Sequence, residues 1–161
     1  MPGARLSLHE RALRLLAVRQ RTRRELQTRL VRAGFEADEV AAELDRLEGV
    51  GLVDDARFAA EFAEHALGRR LEGTRAVAAT LSAKGLDRAL IDEVLEAARG
   101  GEAERLRRLA ESRAARLRGL PPETAFRRLL SFLVRRGHDA AAARRAATAA
   151  LELEAGAAEV G

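Results

Sequence analysis

The sequence predicts an all-α protein: three tandem, helix-turn-helix-like units of about fifty residues, each of three helices, forming an elongated and curved array. Three observations carry this. No proline stands between Pro2 and Pro121, and Ala, Leu, Arg and Glu, all good helix formers, dominate that interval. Hydrophobic residues make up 47% of the 161, yet only five are Phe and none is Trp or Tyr, so the core must be Leu, Ala and Val. Finally, the chain repeats. Aligning Gly34, Gly85 and Gly137 brings TRRELQTRLVRAG, TRAVAATLSAKG and TAFRRLLSFLVRRG together. Leu30, Leu81 and Leu133 then coincide, as do Leu26, Val77 and Leu129, and Arg24, Arg75 and Arg127.

Each helix has its own apolar face and start signal. In the first unit, residues 1–52, the faces are Leu13, Leu16 and Ala17, then Leu26, Leu30 and Ala33, then Val40, Leu44 and Leu47. Ser7 with Glu10 and Thr22 with Glu25 read as S/T-x-x-E capping boxes, and Gly34 sits where a helix end wants a left-handed residue. The second unit, 53–100, opens at Asp54, whose carboxylate can accept the orphan amides of a helix carrying Phe58 and Phe62. Asp55 adds charge at the positive helix end, and Phe58 is assigned to the core. Its second helix carries Val77 and Leu81, and its third starts at Asp87 with Ile91, Leu95 and Ala98. Gly100 and Gly101 close it. The third unit, 101–152, places Leu106, Leu109 and Leu117 on one helix and Phe126, Leu129, Leu130, Leu133 and Val134 on the next, which Pro121 and Pro122 start. Its last helix is mostly alanine. Alanine buries little area, so that helix is expected to pack shallowly and fray, with 153–161 a disordered tail.

The charge is unevenly spread. Net charge is +7 over residues 1–35, −8 over 36–98, +8 over 99–145 and −3 over 146–161, and Lys84 is the only lysine among 29 basic residues. Basic ends and an acidic middle point to an anionic partner, or to one whose charges are patterned to match. Arg19, Arg21, Arg23 and Arg24 crowd the turn between the first two helices, and Arg105, Arg107, Arg108, Arg113, Arg116 and Arg118 line the seventh, which therefore faces solvent or a partner. With no Tyr or Trp there is no stacking platform for bases.

Catalytic chemistry is absent from the sequence. There is no cysteine, so disulfide scaffolds, thiolate metal sites and thiol catalysis are excluded. Phosphate-loop, dinucleotide, H-E-x-x-H and G-x-S-x-G motifs are missing, and His9, His65 and His138 fall one per unit without ligand spacing. Asp54-Asp55 reads as a helix cap rather than a magnesium site. The expectation is a binding protein rather than an enzyme, without metal or cofactor. The charged N-terminus and the lack of any 18-residue apolar run predict a soluble, cytoplasmic protein, read as a monomer.

The order RALRLLAVRQRTRRELQTRLVRAGF, VAAELDRLEGVGLVDDARFAAEF and GRRLEGTRAVAATLSAKGLDRALIDEVLEA resembles the RecX family of bacterial regulators of the RecA recombinase, closely from Leu8 to Ala98 and weakly to Ala150. The most specific segment is LVDDARFA, followed by the basic pair Arg69-Arg70, then Gly73, Arg75 and Lys84-Gly85. Val53 and Val77 replace a more usual leucine and isoleucine, and no second DD-x-RF occurs in the third unit. The resemblance implies tandem three-helix units that bind along the groove of RecA filaments and lower ATP hydrolysis and strand exchange, with no cofactor. Candidate contacts to RecA or to DNA phosphates are Arg21, Arg23, Arg24, Arg57, Arg69, Arg70, Arg75, Lys84, Arg105 and Arg108. The alternative is a helix-turn-helix-like DNA-binding protein acting without RecA, in which Arg24, Arg75 and Arg127 are equivalent.

Overall fold

The computed structural model describes residues 6–159, and all regular structure among them is helical. The order is α1 (Leu8–Val18), α2 (Arg23–Arg32), α3 (Ala37–Gly49), α4 (Asp55–Ala63), α5 (Thr74–Ala83), α6 (Arg88–Ala97), α7 (Glu102–Ala114), α8 (Pro122–Arg135) and α9 (Ala140–Glu159). A π-helical turn, Glu64–Arg69, extends α4, and a 3₁₀ turn, Ala115–Leu117, extends α7.

Local chemistry sets the helix starts. In both capping boxes the hydroxyl accepts the amide three residues on, Glu10 for Ser7 and Glu25 for Thr22, each at 3.2 Å, while the glutamate accepts the cap's own amide. Asp54, Asp87 and Asp139 cap α4, α6 and α9 by accepting the amides of Arg57 (2.9 Å), Leu90 (2.9 Å) and both Ala141 and Ala142 (3.1 Å). Each such cap contributes about 1 kcal/mol. Asp55 differs from expectation: its Oδ1 accepts the Arg23 amide at 2.9 Å, satisfying an orphan donor at the start of α2 rather than only its own helix end.

The chain forms two compact units. One comprises the described residues up to Glu61 together with Leu81–Ile91, the other Phe62–Thr80 with the residues from Asp92 onward. These differ from the predicted boundaries after 52 and 100, because the division passes through α4, α5 and α6. The two ends of α5 explain it. At its C-terminal end the Lys84 carbonyl accepts the Thr22 hydroxyl at 2.7 Å, and Gly85, at φ +86°, lies so close to Arg24 that a Cβ there would sit 2.0 Å from Arg24 Cδ. At its start the Gly73 amide donates to Arg136 O (2.8 Å) and the Arg75 amide to Gly137 O (3.2 Å), and a Cβ on Gly73 would sit 2.1 Å from the Gly137 carbonyl carbon. The two ends of α5 thus bond to different parts of the chain.

The first unit buries Ala12, Leu26, Leu30, Val40, Leu44, Leu47 and Val53, with Leu8, Leu15, Leu16 and Phe35 packed against them. The predicted faces of α2 and α3 hold at their leucines and valine. On α1 the buried face is instead Leu8, Ala12, Leu15 and Leu16, at i, i+4, i+7 and i+8, while Leu13 is 37% exposed. In the second unit α7, α8 and α9 enclose Leu106, Ala110, Ala114, Leu117, Ala125, Leu129, Leu133, Ala143, Ala147 and Ala150. Here the expectation for α9 fails. Ala143 and Ala147 are fully buried and α9 packs on both α7 and α8, because small side chains let the helix backbone come close rather than holding it off. Nor does order end at 152: α9 continues to Glu159, and Glu154 pairs with Arg118. Val160 and Gly161 lie outside the described residues.

Candidate functional site

In the first unit the candidate arginines divide into structural and exposed. Arg21 is 7% exposed, its Nε donates to the Leu15 carbonyl at 3.2 Å, and burial, with Arg19 and Arg29 close by, holds its pKa below the ordinary arginine value. It braces the α1–α2 turn and is not a surface contact. Arg23 forks between Asp45 (2.8 Å) and Glu48 (2.7 Å), tying α2 to α3. Arg57 is exposed and pairs with Glu61 one turn on, at 2.8 Å. Phe58 is half-buried rather than core, and Lys84 Nζ stands 5.5 Å from its ring centre.

Arg24 and Lys84 do come together. They line an open cleft of about 540 Å³ with Arg11, Arg29 and Arg32, none of which is among the residues expected from sequence. The missed signal was the i, i+4, i+8 ladder of Arg24, Thr28 and Arg32 along α2. Glu25 lies in the same cleft, hydrogen-bonded to Arg19 at 3.2 Å and Lys84 at 3.1 Å. Its burial alone would raise the carboxyl pKa, but the bonds from Arg19, Lys84 and Thr22 outweigh that and hold it below the ordinary value.

In the second unit Arg69, Arg70, Arg75 and Arg108 are exposed. Arg70 pairs with Glu72 at 3.2 Å and stacks 5.4 Å from the centre of Phe62, while Arg75 reaches Asp139 only at 3.5 Å. Arg105 is not available: its guanidinium donates to the carbonyls of Ala98 and Gly100, both at 2.9 Å, closing the C-terminal end of α6. The three positions made equivalent by the repeat therefore differ in use. Arg24 packs its stem on Gly85, Arg75 borders Asp139, and Arg127 opens into a groove between α7 and α8 with Arg113, Arg128, Ser131 and Arg135. Among the described residues no His, Cys, Asp and Glu cluster could hold a metal, and no helix is long and apolar enough to cross a membrane.

Residues 9–47 match the family description "RecX, first three-helix domain" and residues 54–95 match "RecX, second three-helix domain". The "Regulatory protein RecX" of Mycobacterium avium (strain 104) is 41% identical over 129 residues, covering 78% of this chain and 74% of that one. The chain belongs to the RecX family. A second relative of that name, from Chlorobaculum tepidum, is 37% identical over 139 residues, 85% of this chain and 84% of its own. The fold is that of the crystal structure of RecX from Lactobacillus salivarius, with a TM-score of 0.80 at 20% identity over 91% of this chain and 95% of that one. Family membership covers the two domains that hold Arg24, Arg57, Arg69, Arg70, Arg75 and Lys84. Arg113, Arg127, Arg128 and Arg135 lie beyond both.

Proposed function

We propose that this protein is a regulator of recombination that binds RecA filaments on DNA and lowers their ATP hydrolysis and strand exchange. The observation that carries the reading is the match of both three-helix domains to a family of regulatory proteins, at an identity of 41% to a relative covered over 74% of its length. The surface chemistry agrees with a binding role. Arg69, Arg70, Arg75 and Arg108 stand exposed on helical scaffolding, and the carboxylates beside Arg57, Arg70 and Arg75 leave these side chains in salt-exposed pairs of small net worth, which a partner can replace. Arg21, Arg23 and Arg105 leave the set of proposed contacts, since their guanidinium groups serve the fold.

Direct binding tests the proposal. The absence of cysteine allows one dye to be attached at Glu39→Cys, an exposed position on α3. Polarisation of the labelled protein should rise on preformed RecA filaments and saturate at a fixed ratio to RecA, at a salt concentration where naked DNA gives no signal. Arg70→Ala and Arg75→Ala should each weaken that binding. A flat response to filaments, with signal from DNA alone at low salt, contradicts it.

A further inference from the structure

We infer that the cleft walled by α1, α2 and the end of α5 is a binding site for the triphosphate chain of a free small molecule, held by Arg11, Arg24, Arg29, Arg32 and Lys84. Its volume of about 540 Å³ is that of a small-ligand site. The cations converge from three elements: Arg11 from α1, Arg24, Arg29 and Arg32 from α2, and Lys84 from the turn after α5. Carboxylate pairing is the habit of this surface, as with Arg57, Arg99, Arg107 and Arg118. The cleft breaks it: among the described residues none of its four arginines has a carboxylate partner. Its one acidic residue, Glu25, is already taken up by Arg19, Lys84 and the Thr22 amide. Two of the cations are held in place before any ligand arrives. Gly85 makes room for the Arg24 stem, since a Cβ there would sit 2.0 Å from Arg24 Cδ, and Lys84 is fixed between Glu25, at 3.1 Å, and the Phe58 ring. Groups positioned in advance cost less to order on binding.

Four like charges converging without a counter-charge repel one another, and a bound anion relieves that repulsion. Guanidinium forks suit phosphate oxygens, and Thr28 adds a hydroxyl donor. Arg24, Thr28 and Arg32 follow at i, i+4 and i+8 along about 12 Å of α2, which one phosphate group cannot bridge. A triphosphate chain carries about four negative charges, one on each inner phosphate and nearly two on the terminal one, and so matches the four arginines. Glu25 selects against a longer polymer. Burial alone would raise its carboxyl pKa, but the bonds from Arg19, Lys84 and Thr22 hold it low, so it stays ionised and repels a polyanionic strand laid along the cleft, whereas a short chain can avoid it. Leu15, Ala33 and Ala83 give the wall an apolar part on which the face of a nucleoside can rest. Neither Arg70 nor Arg75 lines the cleft, so the site stands apart from the reading of RecA contacts.

The test titrates the whole chain, without RecA, DNA or magnesium, with sodium tripolyphosphate and separately with ATP, by calorimetry at about 0.1 M salt. Both should bind with one-to-one stoichiometry, and saturating ligand should raise the midpoint of thermal unfolding. Equal affinities assign the site to inorganic polyphosphate, and tighter binding of ATP assigns it to a nucleotide that meets Leu15 and the two alanines. Arg29→Gln with Arg32→Gln, both exposed positions, should weaken either ligand by about tenfold or more, with folding checked by circular dichroism. Arg14→Gln with Arg145→Gln, exposed and outside the cleft, is the charge-matched control and should keep the wild-type affinity. No heat from either ligand at millimolar concentration, an equal loss in the control, equal binding of citrate, or displacement by a short oligonucleotide as effective per phosphate as by ATP would each overturn the assignment, the last in favour of a nucleic-acid strand.

Discussion

Gly34 and Gly137 have nearly the same left-handed backbone, φ +96° and +90°, in different surroundings. A Cβ on Gly34 meets nothing within 4 Å, whereas one on Gly137 would sit 2.5 Å from the Ala76 backbone nitrogen, which cannot swing away. Gly34→Ala should therefore lose only the left-handed penalty, about 1–2 kcal/mol, and Gly137→Ala should lose about 1–3 kcal/mol more from the collision. Urea unfolding of the two variants measures the difference, and equal losses would contradict the docking of α5 on this turn. His138 is the second residue with a distinct signature. It is 2% exposed, its Nε2–H donates to the carbonyl of Leu71 at 3.1 Å, and its buried Nδ1 has no hydrogen-bond partner among the described residues. Leu71 itself is left-handed at φ +52°, so this bond stabilises a strained residue. Burial, with Arg136 and Arg105 nearby, pushes the His138 pKa below its ordinary value despite the Leu71 bond and Glu102. The unfolded chain then takes up a proton near pH 6.5 that the folded chain refuses, so this contribution is intact above pH 7 and is lost as pH falls below about 6.5. His138→Gln should flatten the fall in stability between about pH 7 and 5.5. A variant with the wild-type slope would show that another group titrates there.

Among the elements, the helix starts and the buried leucines were legible because caps and apolar periods are local. Ser7-Glu10, Thr22-Glu25, Asp54 and Asp87 act through neighbours three residues away. What the sequence left open depends on distant partners: Arg21 and Arg105 are spent on carbonyls, and Arg23 on carboxylates 22 and 25 residues on. No local pattern separates such an arginine from Arg69 or Arg108. The α9 expectation failed for a related reason, since alanine content says how little a side chain buries but not how near the helix can come. Two substitutions test that account. Ala147→Leu should destabilise by about 1–3 kcal/mol through overpacking, while Leu153→Ala, at a position 61% exposed, should stay within about 0.5 kcal/mol. Thermal unfolding distinguishes them; a tolerated leucine at 147 would mean that α9 packs loosely after all.

At the scale of the whole molecule, the compact units do not coincide with the repeat matched by the family's second domain. Residues 54–95 contribute α4 through α6, yet the compact units divide each of these helices. Excised residues 54–95 should consequently show little helix by circular dichroism, where the intact chain is strongly helical; a cooperative, fully helical fragment would contradict the division. We propose that the exposed arginines on this frame act on RecA. The most direct measurement is single-strand-dependent ATP hydrolysis by RecA, titrated with this protein while DNA is in excess so that competition for lattice sites is removed. Turnover should fall at protein well below the RecA concentration, and Arg70→Ala with Arg75→Ala should blunt the fall. Unchanged hydrolysis up to equimolar protein would contradict the account.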